Sequence, residues 1–271
     1  MSTDVIRVGA VIYNPKVTVI WGVISDFLAA HGAKTECKFY KNYDMQVTAM
    51  MNGEIDVAWN SPLAWLDTYL RSDGKCLHGV MRDTDQNRKS YFVARKADHY
   101  SNTLALKGKK IGFGAIDSPQ ARLIPILHLH TRGLEYQKDY IEQRFDVGVG
   151  LQGDHIGGEL DAINALKDGK VDAAVTLDKN WDNWSVDGTI DPDQLEVIEQ
   201  TRVFDHCIFT GRPGLDFGLF EKWNTILMEM DYNDPEQKKV MDMEGLQEWV
   251  PGRLSGYRQI QQANKYLHYF D

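Results

Sequence analysis

A short phrase occurs twice in this chain. Residues 52–59 read Asn-Gly-Glu-Ile-Asp-Val-Ala-Trp, and residues 168–175 read Asp-Gly-Lys-Val-Asp-Ala-Ala-Val. Each copy follows a stretch of helical periodicity. In each, a Gly stops the helix, a β-branched residue opens the next segment, and an Asp precedes a short apolar run with the length of a strand. The two glycines, Gly53 and Gly169, are 116 positions apart (169 minus 53). A helix-to-strand junction repeated at that interval predicts two similarly built α/β lobes, and a pair of lobes makes a cleft that binds small molecules.

The pattern on either side of each copy agrees. Val5–Ile12 reads as a buried strand, and Tyr13-Asn14-Pro15 turns it into a helix through about His31 with Val17, Ile20, Trp21, Ile24, Phe27 and Leu28 on one stripe. Thr35–Phe39 alternates as a second strand, Asp44 caps the helix that carries Val47 and Met50, and Ile55–Trp59 is a third strand. Ser61-Pro62 opens a helix through about Arg71, with Pro at the first-turn position it tolerates. Leu77–Met81 and Tyr91–Arg95 are further strands. The alternation resumes with a strand at Ile111–Phe113, a helix from Ser118-Pro119 to about Thr131, and a strand at Phe145–Val147. A Gly-rich loop (Gly148–Gly158), a helix (Glu159–Lys167) and strands at Val171–Thr176, Leu195–Ile198 and His206–Thr210 follow, and the remainder reads as helical. Such alternation predicts a parallel or mixed sheet covered on both faces. The chain is expected to leave lobe one near Lys96 and return near Phe204, so that lobe one is residues 1–96 plus 205–271 and lobe two is residues 97–204.

Composition removes several classes of function. The net charge of −9, without a basic run, argues against nucleic acid and anionic membrane as partners. Three well-separated cysteines, Cys37, Cys76 and Cys207, with no CxxC spacing, read as reduced and mostly buried thiols. No apolar run approaches about 18 residues, so no membrane insertion is expected. Met1–Asp4 lead straight into the first strand with no basic start or cleavage site. The expected location is cytoplasmic if the chain is full-length and periplasmic if it was trimmed to a mature start.

In open α/β sheets, ligands bind beyond the C-terminal ends of strands, near helix N-termini. That rule selects Tyr13 and Asn14, Tyr43, Asn60 and Ser61, Ser118 and Gln120, and Asp178. The Ser-Pro helix starts at Ser61 and Ser118 are the best anion candidates, because helix N-termini present unpaired N–H groups; the same serines serve equally as helix caps. Arg122, four residues after Ser118, can aim its fork at a carboxylate or form an ion pair. His155 and Glu159 are four apart at the Gly-rich loop and can act as an acid/base pair. Two local ligands without an HExxH pattern do not make a metal site, and no cofactor motif is present. His128 and His130 read as solvated surface residues. Trp181 and Trp184 read as core, or alternatively as a cleft wall. Tyr13, Tyr43, Trp59, Trp65 and Trp181 hint at a ligand with a flat or apolar part.

Three segments resemble a known family. Asn52–Pro62, Leu106–Ser118 with the following helix bearing Pro125, and Gly153–Val175 are similar to signatures of the phosphate/phosphite/phosphonate substrate-binding proteins of ABC importers. The resemblance covers most of residues 5–210, in order. It implies an α/β, two-lobed periplasmic-binding-protein fold of type II, with two crossovers and a cleft between the lobes. It also implies that Tyr43, Tyr91, Ser118 and His155 line that cleft and that Asp178 lies where the family places a carboxylate for the ligand's amine. One departure is chemical: the helix start Ser118-Pro119-Gln120 lacks two of the small hydroxyl residues seen in phosphonate readers. A carboxylate, another oxyanion or an amide-bearing ligand met by Gln120 fits at least as well.

Two readings follow. In the first, the chain binds a small anionic solute as a phosphonate-type solute-binding protein, with an ABC permease as partner and no cofactor. In the second, it is a cytosolic lyase-type enzyme on the same scaffold, with His155 as acid/base oriented by Asp154 or Glu159.

Overall fold

The computed structural model describes residues 5–270; Met1–Asp4, the start that reads without a signal, and Asp271 lie outside the described residues. The chain divides into two units, Met1–Gln86 with Asp205–Tyr257 (unit one) and Asn87–Phe204 with Arg258–Asp271 (unit two).

Unit one contains β1 (Ile6–Val11), α1 (Lys16–Ala30), β2 (Thr35–Tyr40), α2 (Tyr43–Met51), β3 (Val57–Asn60), α3 (Pro62–Arg71), β4 (Leu77–His78) and β5 (Val80–Arg82). After the return of the chain it adds β11 (Ile208–Gly211), α7 (Phe217–Met228), α8 (Pro235–Glu244) and β12 (Trp249–Pro251). Its main sheet has the order β2-β1-β3-β11-β4, with β1, β2 and β3 parallel and β11 antiparallel to both neighbours. Strand β12 pairs antiparallel with β5.

Unit two contains β6 (Ser90–Arg95), β7 (Lys110–Phe113), α4 (Ile124–Thr131), β8 (Ile141–Arg144), α5 (Gly157–Lys167), β9 (Ala173–Leu177), α6 (Asp178–Val186), β10 (Leu195–Gln200) and α9 (Arg258–Leu267). Its sheet, β8-β7-β9-β6-β10, repeats the order of unit one: three parallel strands, then an antiparallel strand, then an edge. In this correspondence β3 and β9 are equivalent, and these are the strands that the two repeated phrases open. Both units are α/β, as the alternation predicted.

The repeated junction is built identically in both places. Gly53 and Gly169 each take φ +71°, the left-handed conformation. In one copy the Gly53 N–H donates to Met50 O (2.9 Å) and Glu54 N–H to Ala49 O (2.9 Å); in the other Gly169 N–H donates to Leu166 O (3.1 Å) and Lys170 N–H to Ala165 O (2.8 Å). These paired bonds are a Schellman ending, which satisfies the last carbonyls of the helix. Three residues beyond each Gly, the Asp then grips the neighbouring strand. Asp56 donates its N–H to Arg7 O (2.8 Å) and accepts from Arg7 N–H (3.0 Å); Asp172 donates to Lys110 O (2.8 Å) and accepts from Lys110 N–H (2.8 Å). A side-chain carboxylate thereby supplies the acceptor that continues the ladder where regular pairing begins.

Each sheet buries both faces. In β9, Ala173 and Val175 enter a cluster with Phe92, Ile111, Phe113, Ile126 and Leu129, while Ala174 enters another with Val93, Ile163, Leu166 and Trp184. This period-2 partition fits a sheet covered on two sides. In unit one, Ile6, Val8, Trp21, Trp59, Phe209, Trp223 and Trp249 share one cluster. Trp59 and Trp65 are therefore core, not ligand-facing: Trp59 packs on Phe209 and Trp249, and Trp65 stacks on Tyr257 at 4.4 Å. Trp184 is buried, and Trp181 packs beside the same cluster.

Four local expectations differ from the structure. The cap of α2 is Asn42, whose side chain accepts from Met45 N–H (2.9 Å), while Asp44 lies inside the first turn. Strand β8 runs over Ile141–Arg144 instead of Phe145–Val147; it is a mostly exposed edge, so hydrophobicity does not mark it. His128 is not a solvated surface group, because it bonds Glu199 (3.1 Å) and packs near Phe92. The lobe boundaries also differ: β6 and α9, both expected in lobe one, belong to unit two, because the chain leaves unit one at Gln86 and not near Lys96, and crosses again after Tyr257; Tyr266 of α9 stacks on His130 (4.0 Å) and its hydroxyl donates to Glu135 (3.1 Å).

Two outcomes follow from the junction. Gly53→Ala and Gly169→Ala, which place a Cβ in left-handed backbone, are each expected to lower unfolding free energy by about 1–2 kcal/mol in urea denaturation. Burial acts to raise the Asp56 carboxyl, but hydrogen bonds from Arg7 and Arg212 overcome it and hold the group at about 2. A depressed carboxylate contributes stability above its unfolded value and loses it as pH falls through the folded value. The stability gap between the native chain and Asp56→Asn should therefore be full at neutral pH and close between about pH 4 and pH 2.

Candidate functional site

In unit one, the parallel strands β1, β2 and β3 end on the same side of the sheet, and the candidates of this unit follow those ends. Tyr13 is half-buried and packs against the core, and Asn14 accepts from Lys16 N–H (3.0 Å) at the start of α1. Tyr43 is the first residue of α2 and is buried. Asn60 is buried, accepting from Gln46 Nε2 (2.9 Å) and donating to Thr68 Oγ1 (3.4 Å). Ser61 is the cap of α3: its hydroxyl accepts from Ala64 N–H (3.2 Å), and Pro62 occupies the first turn. Helix geometry leaves the amides of that first turn without carbonyl partners in the helix itself.

In unit two, the same end of the sheet gathers Ser118 after β7, Asp178 after β9, and Tyr91 near the start of the antiparallel β6. Tyr91 is opposite Thr176 in the ladder, one residue from where β9 ends. Ser118 caps a wide π-type turn, Pro119–Leu123, that leads into α4, and its hydroxyl accepts from Ala121 N–H (3.1 Å). Gln120 is buried and donates to Gly153 O (2.9 Å) and to Glu159 Oε1 (3.3 Å). Asp117 accepts from Gly150 N–H (2.7 Å) and Gln152 N–H (3.2 Å), which ties the Gly-rich loop to the turn before Ser118. Burial pushes the Asp117 carboxyl up, against those donors. Asp117 Oδ1 and Gln120 Oε1 are buried acceptors without a hydrogen-bond partner among the described residues.

The charged candidates are already engaged. Arg122 donates through Nε to Glu142 (2.6 Å), through one terminal nitrogen to Ile116 O (3.1 Å), and through the other to the Tyr136 hydroxyl (2.9 Å). Its fork holds an internal carboxylate, the ion-pair alternative of the sequence reading. Asp178 lies 3.6 Å from Arg88. No sequence spacing signals these partners, since Glu142 lies on β8 and Arg88 in the connection before β6.

The acid/base pair does not form. His155 is exposed, precedes α5, and accepts from Gly157 N–H through Nδ1 (3.1 Å). Glu159 is in α5 and buried, and its Oε2 accepts from Thr176 Oγ1, Leu177 N–H and Asn180 Nδ2, each at 2.8 Å. Burial pushes Glu159 up, while these donors favour its charged form. Asn180, which no motif or spacing singles out, completes this cage.

The comparisons with known proteins agree with one another. A family profile described as "ABC transporter, phosphonate, periplasmic substrate-binding protein" matches residues 13–257. A probable ABC transporter phosphite-binding protein, PhnD1 of Prochlorococcus marinus, is 24% identical over 238 residues, covering 84% of this chain and 76% of that protein. The structure of PhnD1 in complex with methylphosphonate is similar with a TM-score of 0.72 at 19% identity, over 98% of this chain and 99% of that one. A binding-protein component of a phosphonate ABC transporter from Pseudomonas aeruginosa (PA3383) gives a TM-score of 0.66 at 18% identity, over 97% and 86% of the two chains. The sulfonate-binding SsuA of Escherichia coli has the same type of fold, with a TM-score of 0.58 at 12% identity over 98% and 92%.

The Glu159 cage yields a direct expectation. Glu159→Ala removes the acceptor of four donors, Gln120, Thr176, Leu177 N–H and Asn180, in a buried place. Thermal and urea unfolding should show a loss of about 2–5 kcal/mol.

Proposed function

This chain belongs to the family of periplasmic substrate-binding proteins of phosphonate ABC transporters, and on that footing we propose that its solute is a small phosphorus oxyanion, taken up in the periplasm and passed to an ABC permease. The observation that carries the reading is the paired use of Ser-Pro starts, Ser61 before α3 and Ser118 before the turn into α4, each at a sheet end and at a helix N-terminus whose partial positive charge favours an anion. We assign Ser118, Tyr91 and His155 in unit two as donors to the anion, with Tyr13, Tyr43, Asn60 and Ser61 as the set from unit one.

Arg122 is neutralised by Glu142, so the anion is met by neutral hydroxyl and amide donors instead of a guanidinium. Neutral donors suit a compact, tetrahedral oxyanion. The lone acceptors Asp117 Oδ1 and Gln120 Oε1 favour a solute that also carries a donor, either a protonated oxygen or an amine. Asp178, paired with Arg88 at 3.6 Å, is the second carboxylate we assign to an amine, which would share it with the guanidinium. The match to phosphite- and phosphonate-binding relatives supports the phosphorus chemistry over a carboxylate.

Isothermal titration with phosphite, methylphosphonate and an aminoalkylphosphonate, with an aliphatic sulfonate and a carboxylate as controls, tests this. At least one phosphorus oxyanion should bind more tightly than either control. Ser118→Ala should weaken that binding by about 1–3 kcal/mol. Phosphorus NMR after incubation should return the ligand unaltered. Preference for the sulfonate or carboxylate, or chemical change in the ligand, would overturn the proposal.

A further inference from the structure

Unit one holds a buried group of three different ligand types that the solute-binding reading does not use. We propose that Asp85, His206 and Cys207 form a site for a zinc-class divalent metal ion. The chain brings them together from two distant segments. Asp85 ends the single turn Asp83–Asp85 after β5, and His206 and Cys207 immediately precede β11. His206 N–H donates to Asp85 O (2.8 Å), and the buried Tyr257 hydroxyl donates to His206 O (2.7 Å), which fixes the backbone of both segments.

The side chains converge. Cys207 Sγ is 3.2 Å from His206 Nδ1, and Nδ1 is 3.6 Å from Asp85 Oδ1. One ligand atom from each residue lies within 4.8 Å of the others, and all three residues are buried. A triangle of that size has a point roughly 2.0–2.4 Å from all three corners, close to zinc–nitrogen, zinc–oxygen and zinc–sulfur bond lengths. His206 Nε2 is buried with no hydrogen-bond partner among the described residues, so the polar surroundings of the ring lie on its Nδ1 side.

Charge supplies a second, independent reason. Arg82 faces two carboxylates, the buried Asp85 at 2.6 Å and the partly buried Glu244 at 3.2 Å. Arg82, Asp85 and Glu244 together carry one net negative charge, and a buried excess charge is costly. A divalent ion with Cys207 as thiolate brings the group of Arg82, Asp85, Glu244, Cys207 and metal to neutrality. Arg82 would remain on Asp85 as the partner that orients a metal-binding carboxylate. The sulfur and imidazole donors select zinc or cobalt over calcium or magnesium, which take oxygen ligands. Binding forms a metal–sulfur bond and releases the Cys207 S–H proton to solvent, with no change of oxidation state, so affinity should rise with pH.

The test is a titration of the reduced, metal-free protein with cobalt(II). One equivalent should bind and develop a thiolate-to-cobalt charge-transfer band in the near ultraviolet, which zinc should then abolish by displacement. Cys207→Ser should lose the band, Cys37→Ser and Cys76→Ser should keep it, and His206→Asn should weaken cobalt binding at least tenfold. Oxyanion binding measured on Cys207→Ser separates loss of metal from loss of fold. Absence of a stoichiometric thiolate band in the native protein overturns the proposal whatever the variants do, as does a band that survives Cys207→Ser.

Discussion

Both units depend on one arrangement: a helix stopped by a left-handed glycine, followed three residues later by an aspartate that bonds the adjacent strand. The glycine reverses the chain at the helix end, and the Schellman bonds satisfy the last carbonyls. The aspartate then fixes the register of β3 on β1 and of β9 on β7, because its N–H and its carboxylate engage the same residue, Arg7 or Lys110. A slip of one residue would turn every buried side chain of the strand to the other face. Asp56 carries a further duty that Asp172 does not. It also accepts from the Arg7 and Arg212 guanidiniums, and Arg212 directly follows β11. The junction in unit one therefore also holds the strand that arrives after the chain has passed through unit two.

The strand ends that this arrangement places are rich in polar groups, yet their charges are internally balanced. Arg122 answers Glu142, Arg88 answers Asp178, and Glu159 is enclosed by four donors. A catalytic acid or base needs an unoccupied lone pair or proton within reach of substrate. Glu159 has neither exposure nor a spare donor set, and His155 lies outside the helix that holds it. A binding protein needs something different, namely rigid neutral donors whose own partners keep them in place. Ser61 and Ser118, each fixed by a helix amide, answer that description.

Much of this was legible in the sequence, and what was not has a common cause. The strands, the two Ser-Pro caps and the repeated junction are written in neighbouring residues, where periodicity and turn chemistry act. The errors lie where a partner is remote. His128 reads as a surface residue until Glu199, 71 positions on, is seen to bond it. Arg122 looks available to a ligand until Glu142 arrives from β8, an exposed edge strand that hydrophobicity does not reveal. Asn42 replaced Asp44 as a cap because the two share the same chemistry and differ only in backbone conformation: Asn42 is extended. Helix α9 is separated from its unit in sequence, and its strongly one-sided apolar face says that it packs, not on what.

The same limit explains why the Asp85–His206–Cys207 group gives no sequence signal. Metal motifs are recognisable when ligands recur at short, fixed spacings along one element. Here two ligands are adjacent and the third is 121 positions before the first of them (206 minus 85). They meet because β5 and β11 both belong to unit one, although the chain builds Asn87–Phe204 of unit two between them. A chain that leaves a unit and later returns to it can therefore assemble a compact donor set where it departs and comes back, and no short-range spacing marks such a set. Asp85 and His206 are each within two residues of a crossing, Gln86 to Asn87 and Phe204 to Asp205. An ion held there would cross-link the departing and returning segments of unit one, adding to the constraint that the His206–Asp85 backbone bond already imposes.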